Sequence, residues 1–108
     1  MTTVTIILIS EEHRHNVWSL RLRGDGALAE YARNHIEAYQ PVASWTCSER
    51  DSAAAEEAFE ITNNPSRQSE REILYGKQRS VSVGDIVEVS EGSNGKRYIC
   101  DAVGWTKL

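Results

Sequence analysis

Apolar side chains recur along this chain with two different periods, and the switches between them divide it into elements. Residues 3–9 (TVTIILI) are β-branched or apolar throughout and are followed by the polar run Ser10–Asn16, which predicts a buried internal strand. Val17–Arg23 (VWSLRLR) alternates, with Trp18, Leu20 and Leu22 on one side, Ser19 and Arg21 on the other, and Gly24-Asp25-Gly26 as the stop. That period of two predicts a second strand, paired with the first, in preference to a helix over 16–23.

The period then lengthens. Leu28, Tyr31, Ala32, His35, Ile36 and Tyr39 fall on one helical stripe, so a helix is predicted over Ala27–Tyr39, capped by Asp25 and ended by Pro41. His35 belongs to that stripe and reads as a core or boundary residue. Val42–Cys47 (VASWTC) alternates again and predicts a third strand. Ser48-Glu49-Arg50-Asp51 matches a capping box, in which a hydroxyl and a carboxylate three residues apart satisfy orphan helix amides reciprocally. A second helix then runs to about Thr62, burying Ala55, Ala58, Phe59 and Thr62, and Asn63-Asn64-Pro65 ends it.

Residues 66–79 (SRQSEREILYGKQR) form a long connection, either a short helical turn or a mobile loop. Val83–Ser90 and Lys96–Val103 read as a hairpin across Glu91–Gly95, with Asn94-Gly95 supplying the positive-φ residues. The fold predicted is one α+β domain over residues 1–108, in the order β-β-α-β-α-β-β. Its sheet is largely antiparallel, with two helices on one face.

At 108 residues, 40% of them hydrophobic and 26% charged, the chain can bury a core without disulfide or metal staples. No apolar run approaches the ~18 residues of a membrane-spanning helix. The opening stretch lacks the basic flank and cleavage site of a signal peptide, so a cytoplasmic protein with no membrane association is expected. Cys47 and Cys100 are far apart in sequence and read as reduced core thiols. The net charge of −4 is unevenly spread. Residues 1–64 carry five Lys/Arg against ten Asp/Glu (−5), and residues 65–108 carry seven against six (+1).

Candidate chemistry is sparse. His13-x-His15, with Glu11 and Glu12 nearby, falls short of the four ligands of a structural zinc site, and the two histidines read as loop residues. No Ser/His/Asp or Cys/His order suggests a nucleophile. Gly24-Asp25-Gly26 before a helix has the setting of a phosphate cradle but not its further glycine or Lys-Ser/Thr, and Asp25 would repel phosphate. No cofactor, no metal and no enzymatic activity are expected.

The most patterned stretch is Arg79-Ser80-Val81-Ser82-Val83-Gly84-Asp85. It has a structural account, in which Gly84 adopts positive φ and Asp85 closes a turn onto the strand that follows. Taken with Glu57–Pro65 before it and Tyr98-x-Cys100-Asp101-x-x-Gly104-Trp105 after it, the layout resembles a group of small proteins of bacterial mobile elements. These occur on phages, on conjugative elements and in actinobacterial genomes, and some look like the YodL-like domains. The resemblance covers about residues 55–105 and implies habitat and fold more than activity. Carried over, it nominates Asn63, Arg79, Ser80, Ser82, Asp85, Gly104 and Trp105, serving either a shared surface or turns and packing.

Two functional expectations follow. The first is a non-enzymatic adaptor or inhibitor encoded by a phage or plasmid, binding a host protein and counteracting host defence. Its candidate surface is Asn63, Arg67, Arg71, Tyr75, Lys77, Arg79, Ser80, Ser82, Asp85 and Trp105. The second, disfavoured by the acidic balance, is a nucleic-acid-binding module built on the basic 66–79 segment and the terminal hairpin. There Arg67, Arg71, Lys77, Arg79, Lys96 and Arg97 would form one patch, with Tyr75, Tyr98 and Trp105 as stacking platforms. Trp18 and Trp45 read as core or interface anchors.

Overall fold

The computed structural model describes residues 1–24 and 26–108. In it Thr2–Ile9 is the strand β1, and it is internal as expected. Val4, Ile6 and Leu8 are buried on one side of it and Ile7 and Ile9 on the other, which is why the segment is apolar without a break. Its neighbours are β2 (Tyr39–Cys47) and β3 (Ile86–Glu91); β4 (Asn94–Cys100) and β5 (Trp105–Lys107) extend the sheet in the order β2-β1-β3-β4-β5. Every pairing is antiparallel, so the domain is α+β with a five-stranded antiparallel sheet.

The second element differs from the sequence expectation. Arg14–Leu20 is a helix, α1, after a 3₁₀ turn at Glu11–His13. Both edges of β1 are occupied, by β2 and β3, so Val17–Arg23 cannot pair with β1 as expected, and a helix satisfies its backbone locally. The alternating stripe is correspondingly not a buried face. Val17 is 2% exposed, whereas Trp18 and Leu22 are 52% and 80% exposed.

The helix α2 covers Ala27–Asn34 only. Leu28 and Ala32 of the expected stripe are buried, while Tyr31 and His35 stack at 4.1 Å and the chain leaves the helical region at His35. Tyr39 opens β2 instead, opposite Ile9, and its hydroxyl donates to the Gly84 carbonyl at 2.9 Å. Pro41 sits within β2, which an edge strand tolerates, and the register slips by one residue there. The expected cap at Asp25 lies outside the described residues.

Asp51–Asn63 is α3 and Gln68–Leu74 is α4, which resolves the long connection into a 3₁₀ turn and a short helix. The predicted capping box does not form. Arg50 is the N-cap without a side-chain hydrogen bond, and the Asp51 carboxylate instead meets Lys96 Nζ at 2.6 Å across to β4. The helix end is as predicted: Asn64 is extended before Pro65, and its Oδ1 accepts from the Ser66 amide at 3.0 Å.

The terminal hairpin pairs Glu91 with Asn94 and Ile86 with Ile99, a tighter turn than the expected Glu91–Gly95 loop. Gly92, not Asn94-Gly95, supplies the positive φ (62°) at the first central position, as a type II′ turn requires. The segment expected to complete the long second arm turns at Asp101–Gly104 and returns as β5.

Helices cover both faces rather than one. Ala54, Ala55, Ala58 and Ile61 of α3 pack on Val4, Ile6, Val87, Val89 and Tyr98. On the opposite face Val17, Leu28, Ala29 and Ala32 of α1 and α2 pack on Ile7, Ile9, Ile86 and Ile99. Among the described residues, no helix is long and apolar enough to cross a membrane.

Candidate functional site

The patterned stretch sits at the start of β3, where α1, α3, α4 and the end of β1 converge. Asp85 is fully buried, so its carboxylate needs internal donors, and it has them. Arg79 grips it through two parallel bonds, Nη1 to Oδ2 at 2.6 Å and Nη2 to Oδ1 at 2.8 Å. The Ile9 amide donates to Oδ1 at 3.0 Å and the Ser82 amide to Oδ2 at 2.9 Å. Arg79 also donates to the Ile9 carbonyl at 2.9 Å and approaches Glu11 at 3.5 Å. The bond to Asp85 holds the Arg79 guanidinium above its ordinary pKa, against the opposing effect of burial.

The neighbouring polar groups close the same structure. Ser80 Oγ donates to the Thr62 carbonyl at 2.6 Å and accepts from Arg71 Nη1 at 2.9 Å. Asn63 Nδ2 donates to the Val81 carbonyl at 2.9 Å, and the buried Tyr75 hydroxyl to the Arg79 carbonyl at 2.5 Å. Burial first, then the Asp85 charge, pushes Tyr75 up to about 12 and also raises Tyr39. Gly84 has φ +95°, and a Cβ there would lie 2.5 Å from a Val17 methyl carbon, so α1 is seated directly on this turn. Together these residues are a clasp around the buried Asp85, with Asn63 exposed at its edge and no buried side-chain polar atom left without a partner among the described residues.

The ten candidate residues therefore separate. Asn63, Arg71, Tyr75, Arg79, Ser80, Ser82 and Asp85 belong to the clasp. Arg67 lies outside it, paired with Glu70 at 2.7 Å and Glu57 at 3.2 Å. Lys77 is exposed and Trp105 half-buried. The six cations expected to form one patch are not brought together: Lys96 pairs with Asp51, while Arg97 points to the opposite face of the sheet and meets Glu88 at 3.3 Å. Tyr75 and Tyr98 are buried, at 5% and 7% exposure, and offer no stacking platform. His13 Nδ1 hydrogen-bonds Ser10 Oγ at 2.7 Å, and no group of three or more His, Cys, Asp or Glu could hold a metal ion among the described residues.

Above the clasp lies a groove that the sequence pattern did not reveal. Two adjoining hollows of about 250 and 360 Å³ share Trp18, Ser82 and Val83. The larger is lined by Trp18 of α1, Phe59 of α3 and Trp105 of β5, together with Val81 and Val83. Trp105 is fixed in place: its indole Nε1 donates to Glu56 at 2.8 Å, and its ring meets Phe59 edge-on at 6.4 Å. Trp18 carries the Arg21 guanidinium on its ring at 4.0 Å. Trp45, the other expected anchor, is a core residue against Tyr75. A bigger depression of about 780 Å³ follows the β3–β4 hairpin, but its walls are the paired charges Asp51, Glu88, Lys96 and Arg97. The apolar groove is the better candidate, because burying its rings on a partner is favourable and parting those ion pairs is not.

The groove residues come from positions 18, 59, 83 and 105, which only the fold assembles. Trp18 carried the available signal as a candidate interface anchor, but its place on the alternating Trp18-Leu20-Leu22 stripe assigned it to a strand face. Compared with models of protein families, with curated proteins and with solved structures, the chain matches none of them.

Proposed function

We propose that this chain is a non-enzymatic protein-binding domain, an adaptor or inhibitor, that captures its partner in the groove between Trp18 and Trp105. The observation that carries the reading is the half-exposed Trp18 lining one hollow with the paired rings of Phe59 and Trp105. Large aromatic rings on a rigid scaffold are the side chains that dominate protein interfaces. The Arg79, Ser80 and Asp85 side chains of the patterned stretch are committed to the clasp. The resemblance of residues 55–105 to mobile-element proteins implies a habitat, and in that habitat the partner we propose is a host protein, with host defence as the setting. The nucleic-acid alternative is weakened by the scattering of its six cations and the pairing of four of them, Arg67, Arg79, Lys96 and Arg97, with carboxylates.

A photo-crosslinking residue at Val103, which is 93% exposed between the groove-lining Ala102 and Gly104, tests this in bacterial host extract. The expected result is a discrete protein adduct, lost in Trp18→Ala and Trp105→Ala chains. Absence of an adduct, together with salt-sensitive nucleic-acid binding abolished by Lys77→Glu with Lys96→Glu, would replace this reading by the alternative.

A further inference from the structure

Two carboxylates stand at the rim of the groove, and neither is matched by a cation. Glu56 accepts only the neutral Trp105 indole N–H at 2.8 Å. Asp101 accepts from the Ala102 amide at 2.8 Å and the Thr106 hydroxyl at 2.9 Å. Neither residue takes part in an ion pair among the described residues, although nine other pairs form across the molecule. Both flank the same apolar hollow as Phe59 and Trp105. An apolar slot with negative charge along one side selects for a ligand carrying an apolar anchor next to a positive charge. The cation's end of the slot is the Trp105 end, where both carboxylates lie, because the Trp18 ring already carries Arg21 and the adjoining hollow is lined by Arg14 and His15.

Resting on the protein-binding reading above, we infer that the occupant is a short polypeptide segment with a Lys or Arg beside a bulky apolar side chain. The apolar side chain enters between Trp18 and Trp105, and the cation reaches Glu56 and Asp101. A nucleic acid is disfavoured by the same two carboxylates, which would repel its phosphates. A second copy of this chain is the remaining occupant to distinguish.

The test is selection of a random 12-residue peptide library on the intact protein, with counter-selection on the Trp18→Ala chain. Selected peptides should carry Lys or Arg within three positions of Phe, Trp, Leu or Met. The leading synthetic peptide should bind about tenfold more weakly to the Trp18→Ala chain. It should lose about three- to tenfold with Glu56→Gln plus Asp101→Asn, a double variant that retains side-chain acceptors and should keep its melting midpoint. Trp18-dependent peptides with no excess of basic residues, or an affinity indifferent to the double variant, would overturn this inference and leave the protein-binding reading intact. A library yielding no Trp18-dependent peptide would overturn both. Micromolar self-association abolished by Trp18→Ala would overturn it in favour of a second copy.

Discussion

The clasp and the groove meet at Asn63 and Ser82, yet they handle polarity in opposite ways. In the clasp a fully buried carboxylate is surrounded by donors from Arg79, Ile9 and Ser82, and the charges are turned inward. In the groove the rings are turned outward and the two rim carboxylates have no cation. A charged, regular motif is thus turned inward to hold the fold together, and Trp18 is the large ring left half exposed. The most conspicuous pattern in a sequence marks a demanding structural requirement as readily as a site.

The sharpest way to break this contrast is Asp85→Ala. It strands the Arg79 guanidinium and leaves the Ile9 and Ser82 amides without their acceptor, so denaturant titration should show a loss of about 3–5 kcal/mol. If the clasp were instead a ligand surface, stability would hardly change and binding alone would fall.

Gly84→Ala should follow, with a loss of about 2–4 kcal/mol from the clash with Val17 and the strain of positive φ. Its effect should be felt in α1 first, seen as shifts of the Trp18 indole resonance.

Alkaline pH weakens the same region. Tyr75 is protonated in the fold up to about 12, against an ordinary value of 10.0, so its contribution is complete below pH 10 and is lost between 10 and 12. The sign is set by the unfolded chain, which releases the phenolic proton first and therefore gains on the folded state as pH rises. Burial likewise raises Cys100 from 9.0 to about 12, adding a fall of the same sign from pH 9 upward. Denaturation midpoints at pH 8 and 11 should differ accordingly, and Tyr75→Phe should shrink the difference.

At the small end, Trp18→Ala should change stability by less than about 0.5 kcal/mol, because the ring is half exposed and its removal opens no cavity. Partner binding should nonetheless collapse. A large loss of stability would move Trp18 from the groove to the core.

The parts of the fold legible in the sequence were those whose side-chain period and backbone demands agreed. β1 is apolar on both faces, Asn63-Asn64-Pro65 cannot continue a helix, and the 86–99 pairing follows from two apolar runs about a glycine turn. Val17–Arg23 misled because its alternation is real, while the sheet had no free edge beside β1 to receive it. The strand β5 is three residues long and is defined by its pairing with Tyr98–Cys100, not by any period of its own. Of the site, the sequence exposed the clasp, whose members lie mostly within 62–85, and Trp105. Trp18, Phe59 and the rim carboxylates were invisible as a group because their proximity is created by the sheet and the helices on either side of it.

The Arg79–Asp85 segment is a structural clasp, and amide hydrogen exchange under native conditions tests this most directly. The Ile9 and Ser82 amides, both donors to Asp85, should exchange only through global unfolding, with an opening free energy equal to that from denaturant titration. Exchange of these two amides through a low-energy local opening, while the β1 amides of Val4 and Ile6 stay protected, would contradict it.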